Sequence, residues 1–306
     1  FQDPPRPAST KKLKDVMLGA AEVLGDARFM LMIVVYSGFW ILYFQNFGSV
    51  LWYLRDFVDR EPVSIALTSF FQWVGLPWAF VFDAEHVTVI NAGTIILLQV
   101  FVSRIVRDRP ALATMVTGMA IGAVGFLCLA ASRNAWVLVL GIAVFSIGEM
   151  TAHPKYYSFV GLVAPPDRKA VYMGYAFLYG VFGSLLGSNL GSQLYARIMT
   201  PVVNTPAASG RARLFWLMFA VLDVIAAVCL ILFARSFGQD TADTRRRART
   251  LMNGIYVLIL LLGVFFLYLA FSASPADART AVQALIFLLL GTGGIVMNKR
   301  GAEARG

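Results

Sequence analysis

AWVLVLGIAVFSIGEMTAHPKYYSFVG, residues 135–161, decides how the chain is to be read. Its first half is apolar, and the stretch as a whole exceeds the roughly 18 to 20 residues a helix needs to cross a bilayer. Its second half sets Glu149, His153, Pro154 and Lys155 into that apolar run. Polar groups there are expensive, so each needs a partner, water or a task. His153 lies four residues after Glu149 and shares its helix face, which allows a hydrogen bond or a shared proton. Lys155 is displaced around the helix and answers either a partner on a neighbouring helix or the cytoplasmic interface. Pro154 frees the carbonyl near Met150 and is expected to kink or open the helix. Two readings follow: polar glue between helices, or a gated central cavity in which Glu149 meets a proton or the cationic part of a solute.

The rest of the chain fits that solvent. Of 306 residues, 58% are hydrophobic and 14% charged, with a mean hydropathy of +0.71, which excludes a water-soluble domain. The alternating segments of about 10 residues that mark a transmembrane barrel are missing, so the chain reads as an all-α polytopic membrane protein. Cys128 and Cys229 both lie in apolar segments and read as small core residues rather than a disulfide or metal pair. His86 follows Asp83 and Glu85 in a surface cluster with too few ligands for a metal. No nucleophile–base–orienter set or phosphate loop can be assembled, so no enzyme, catalytic residue or cofactor is expected.

Spacing predicts helices near 28–52, 87–105, 111–131, 135–161, 169–197, 213–236, 250–272 and 279–298. An even number of crossings returns both ends to one side. That side collects Lys11, Lys12 and Lys14, then Arg104, Arg107 and Arg109, then Arg245, Arg246, Arg247 and Arg249, and finally Lys299 and Arg300. The opposite loops hold far fewer basic residues, among them Arg55, Arg60 and Arg133, so both termini are expected in the cytoplasm. The net charge of +9 is thus assigned to topology and anionic lipid rather than nucleic acid. Between 53 and 86, FFQWVGLPWAF (70–80) is too short to span and reads as an interfacial re-entrant turn or amphipathic helix.

Further polar residues recur within the spans. Gln45 and Asn46 sit in WILYFQNFGSV (40–50), Asn91 follows the start of the second span, and Asp223 lies mid-helix in MFAVLDVIAAV (218–228). Nothing near Asp223 in the sequence assigns it a role. Gly183, Gly187 and Gly191 recur at intervals of four, which permits close helix contact.

FQNFGSVLWYLRDFVDR (44–60), VINAGTIILL (89–98) and above all IGEMTAHPKYYSFVGLVAPPDRKAVYMGYAFLYG (147–180) carry a family likeness. The chain resembles the carboxy-terminal half of major facilitator superfamily transporters, nearest to the proton-dependent oligopeptide transporter branch. In that family the seventh helix has an acid before a glycine-serine element, and the eighth has an asparagine near its outer end. The tenth has Gly-Glu followed by a proline, and a Leu-Ala-Pro loop leads to a Met-Gly at the eleventh. The matching residues are Gln45 with Gly48 and Ser49; Asn91; Gly148, Glu149 and Pro154; Val163, Ala164 and Pro165; and Met173 with Gly174.

The resemblance spans residues 1–236 and implies a cytoplasmic linker over 1–27 and a six-helix half-bundle over 28–236; the apolar segments beyond it add two helices with a tail over 237–306. It implies proton-coupled transport of a small peptide or peptide-like solute, with Glu149 engaging the solute's amino group and Asn91 lining the same cavity. Candidate substrate- or proton-binding residues are therefore Glu149, His153, Lys155, Asn91 and Gln45. Gln45 stands where an acid is expected, and the two last helices follow the half-bundle instead of preceding it. Six helices cannot enclose such a pathway, so the amino-terminal half is expected as a separate chain, with lipid, solute, protons and possible additional membrane subunits as the other partners. The expected location is the bacterial inner membrane. The alternative is a structural subunit of a larger membrane complex derived from a transporter half. The chain begins at Phe1 and reads as the middle or the product of a longer one.

Overall fold

A computed structural model describes residues 19, 21–272 and 278–303. The chain is an all-α polytopic membrane protein: among the described residues, eight helices are long and apolar enough to cross a membrane. Most of the expected linker over 1–27 lies outside the described residues.

The first span, Ala27–Phe57, consists of α1 (Ala27–Tyr43), a 3-10 turn at Phe44–Phe47 and α2 (Ser49–Phe57). It runs five residues past the expected end at 52. A short helix, α3 (Glu61–Trp73), follows. At 13 residues it is not a crossing, and its Trp73 is 81% exposed, as suits an interfacial helix. The next spans are α4 (Glu85–Val106), α5 (Ala111–Ala131) and α6 (Ala135–Val163). Helix α6 continues through Pro154. The span Lys169–Val202 comprises α7 (Lys169–Tyr175), α8 (Leu178–Leu194), a π-turn at Tyr195–Met199 and a 3-10 turn at Thr200–Val202. Three long helices complete the chain: α9 (Ala208–Phe237), α10 (Ala242–Ser272) and α11 (Ala278–Glu303).

Helix α10 begins eight residues before the expected start at 250, so the basic run Arg245–Arg249 is helical. The reason is local. Thr241 caps the helix, its Oγ1 accepting from the Thr244 amide at 3.2 Å, and Arg247 pairs with Asp243 one turn back at 2.7 Å.

The chain divides into two compact units. One holds Val34–Val163 with Ala176–Arg235. Its tightest seam joins α5 to α6, where glycines face one another. A Cβ on Gly148 would stand 2.5 Å from the Gly118 carbonyl oxygen, and one on Gly125 2.7 Å from that of Gly141. No side chain fits there, so the two backbones meet directly, the small-residue packing that replaces hydrophobic association in lipid. The glycines of α8 do the same against α1: a Cβ on Gly183 would meet Trp40 Cβ at 2.5 Å, and one on Gly187 the Ile41 carbonyl oxygen at 2.8 Å. By contrast, α4 leaves Ile96, Leu97, Phe101 and Ile105 exposed, a surface suited to lipid, and buries Asn91.

The other unit holds Ala164–Tyr175 and Ser236–Gly306 together with the chain up to Ile33. Here α10 and α11 form a hairpin with its own polar lock: Asn298 Nδ2 donates to Asn253 Oδ1 at 2.6 Å and to the Arg249 carbonyl at 3.0 Å. Arg28 donates to the carbonyls of Phe237 and Gly238 at 2.6 and 2.9 Å, and Arg249 to that of Gly301 at 2.8 Å. The arginines thereby satisfy backbone acceptors at and just beyond helix C-termini.

Candidate functional site

The site is built on α6 at its glycine seam with α5, for Gly148 lies between Ser146 and Glu149. Ser146 turns its hydroxyl back to the Ile142 carbonyl at 2.8 Å, the local bond by which a serine is accommodated inside a helix. That fixes Ser146 Oγ as an acceptor for Asn91 Nδ2, 2.8 Å away on α4. The same amide group donates to Glu149 Oε2 at 3.1 Å. Asn91 thus bridges a hydroxyl and a carboxyl three residues apart on the facing helix. No described residue donates to Glu149 Oε1. The carboxyl is therefore held by one oxygen and retains acceptor capacity on the other.

Beyond Glu149, α6 presents His153 to a group of aromatic rings. The imidazole lies 5.1 Å from Trp40, 5.0 Å from Tyr157 and 5.7 Å from Tyr179, measured between ring centroids. Trp40 in turn packs on Tyr179 at 4.5 Å and Tyr43 at 4.3 Å, and the hydroxyls of Tyr157 and Tyr179 are 3.1 Å apart. Glu149 stands one turn before His153 on α6, so the carboxyl and this aromatic group succeed one another along one helix face. Aromatic faces with one carboxyl beside them suit a cationic group, which gains from the ring quadrupoles as well as from the charge.

The structure brings together two of the sequence-derived candidates, Asn91 and Glu149. The other three go elsewhere. His153 makes no hydrogen bond to Glu149 in spite of the four-residue spacing, and its Nδ1 is buried without a partner. Its ring is held edge-on by Tyr157, one turn on along α6, and by Trp40 of α1 and Tyr179 of α8, the last two of which the spacing along α6 does not encode. Lys155 is 7% exposed and donates to the carbonyls of Arg107 and Arg109, each at 2.8 Å. It is a clasp on the turn joining α4 to α5, where it satisfies acceptors that the end of α4 leaves open. Gln45 is 1% exposed, donates to the Ile41 and Gly187 carbonyls at 2.8 and 2.9 Å, and accepts from Ser49 at 2.7 Å. All its polar capacity on this side is used in joining α1 to α8.

Ser146, Trp40, Tyr43, Tyr157 and Tyr179 were not among the sequence-derived candidates. The serine had a signal, since it lies three residues before Glu149 and so on its face. The aromatic residues had only their density as a clue. No protein-family model, curated protein or solved structure matches the chain, so the roles of these residues rest on their geometry alone.

Proposed function

We propose that this chain supplies one half of a proton-coupled secondary transporter, and that ionised Glu149 receives the protonated amine of a small peptide or peptide-like solute. The observation that carries the reading is the half-bonded carboxyl: Asn91 orients one oxygen of Glu149, and the other has no donor among the described residues. An ammonium group placed there gains a charge-assisted hydrogen bond, and the aromatic group around His153 lies one turn further along α6. Ionised and protonated forms of Glu149 bind such a solute very differently, and that difference is what coupling to a proton gradient requires.

In this reading the six spans between Ala27 and Phe237 rock against a second six-helix bundle from another chain, and the solute site lies between them. The chain is a carrier and not an enzyme. The basic loops support cytoplasmic termini, and the resemblance to oligopeptide transporters supports a bacterial inner membrane as the location.

A second reading has its own support. Lys155 and Gln45 are engaged by fixed partners, Lys155 with two of its three donors, as expected of a half-bundle retained as a structural subunit. Uptake by proteoliposomes containing the native assembly separates the two. With an imposed proton gradient and a panel of small peptides, transport predicts accumulation that Glu149→Gln abolishes without loss of assembly. Absence of uptake by an intact assembly, with assembly unchanged in the variant, supports the structural role instead.

A further inference from the structure

Asp223 lies near the middle of α9, is 0% exposed, and has no hydrogen-bond partner on either carboxyl oxygen. Its Oδ2 lies against the backbone of Gly122 on α5. A Cβ placed on that glycine would stand 3.0 Å from Asp223 Oδ2, 3.0 Å from Phe39 Cε2 of α1 and 3.5 Å from Phe145 Cδ2 of α6. The carboxyl thus meets α5 at a glycine that the rings of Phe39 and Phe145 also approach.

The surrounding helices bring few titratable groups to it. From α1 comes Tyr36, three residues before Phe39, whose buried hydroxyl also lacks a partner. From α6 comes Glu149, four residues beyond Phe145 and already bonded to Asn91. The stretch of α5 around Gly122 has no titratable side chain between Thr117 and Phe126. Among the described residues no lysine, arginine or histidine pairs with Asp223.

A buried carboxylate with no counter-charge or donor is among the least favourable groups in a membrane interior. It is relieved by an ion pair, by a metal or by a proton. No pairing cation is present in the wall. A metal would need several further oxygen or nitrogen ligands, and among the described residues no group of three His, Cys, Asp or Glu side chains exists to supply them. A proton needs neither space nor a second ligand.

We infer that Asp223 is a proton-binding site within the membrane, separate from the solute site at Glu149. A proton from water joins one carboxylate oxygen and leaves a neutral carboxylic acid. The site is mechanically connected to the other: Gly122, on which Asp223 rests, also lies against Gly148, where a Cβ would be 2.7 Å from the Gly122 nitrogen. Gly148 is the residue immediately before Glu149. Gaining or losing charge at Asp223 therefore bears on the seam that carries the solute carboxyl. This consequence for coupling rests on the transport reading; the proton site itself does not.

Infrared spectroscopy of the reconstituted native assembly tests it, because a protonated carboxyl has a carbonyl stretch distinct from that of a carboxylate and shifts in heavy water. The expected result is a slowly exchanging protonated-carboxyl band near neutral pH that persists in Glu149→Gln and is lost in Asp223→Asn. A band unchanged in a folded Asp223→Asn protein overturns the inference. Should that variant not fold, Glu149→Gln decides alone: the shielded band persists there if Asp223 holds the proton, and its absence overturns the inference. Failure of the transport reading would look different, with no peptide uptake and the infrared band still present.

Discussion

Glu149 and Lys155 lie six residues apart on one helix, and their surroundings differ in kind. Lys155 meets two backbone carbonyls at 2.8 Å, whereas Glu149 meets one amide and has an oxygen left over. Both are ionisable groups in a membrane span, and by composition alone both invite a functional reading. The comparison turns on burial and partners: Lys155 is 7% exposed and spends two of its three donors on backbone carbonyls, as a fold-holding group does, while Glu149 leaves a whole carboxyl oxygen without a donor among the described residues.

Substitution should expose that difference. Lys155→Met removes two charge-assisted bonds and leaves the Arg107 and Arg109 carbonyls unanswered. At about 1.5–3 kcal/mol for each bond to a charged group, this is the largest stability loss expected. It should appear as a lower unfolding temperature in detergent, with solute affinity unchanged in the protein that remains folded. Reduced affinity at unchanged stability would instead put Lys155 in the site. Glu149→Gln should do the reverse. Losing the charged partner of an ammonium group, again about 1.5–3 kcal/mol, weakens solute binding roughly tenfold to a hundredfold and leaves the unfolding temperature nearly constant.

The contrast extends to Gln45 and Asn91, two buried amides. Gln45 ties α1 to α8 through Gly187, and Asn91 ties α4 to α6 through Ser146 and Glu149. Gln45→Leu is expected to lower stability by about 1–2 kcal/mol, the range for lost neutral hydrogen bonds, with no effect on affinity in the folded fraction. Asn91→Ala should cost about 2–4 kcal/mol, since it removes one bond to a carboxylate and one to a hydroxyl, and should weaken solute binding several-fold, because Glu149 loses the donor that orients it. Equal affinity in wild type and Asn91→Ala would remove Asn91 from the site.

The spans were legible in the sequence because lipid imposes length and polarity on each one separately. Segment ends were less so: the start of α10 depends on the Thr241 cap, and the first span runs on to Phe57 rather than ending near 52. The glycines of α8 were legible as a packing face, since a four-residue interval states which side must come close. What the sequence could not reveal was the identity of partners across helices. Nothing in the spacing tells Lys155 that the carbonyls of Arg107 and Arg109 stand opposite, or tells His153 that Trp40 and Tyr179 displace Glu149 as its neighbour. The four-residue rule placed His153 and Glu149 on one face correctly, but packing against α1 and α8 determined what the ring touches. Asp223 shows the same limit, because its isolation is visible only once Gly122, Phe39 and Phe145 surround it.

The central claim is that Glu149 is an open carboxyl awaiting a cationic amine. Its most direct test is equilibrium binding, followed through the fluorescence of Trp40 against a Trp40→Phe control, for a free dipeptide and its N-acetylated form. The account predicts that wild-type native assembly binds the free dipeptide at least tenfold more tightly than the acetylated one, and that Glu149→Gln abolishes this preference. Equal binding of both forms to wild type, or a preference that survives Glu149→Gln, would contradict it.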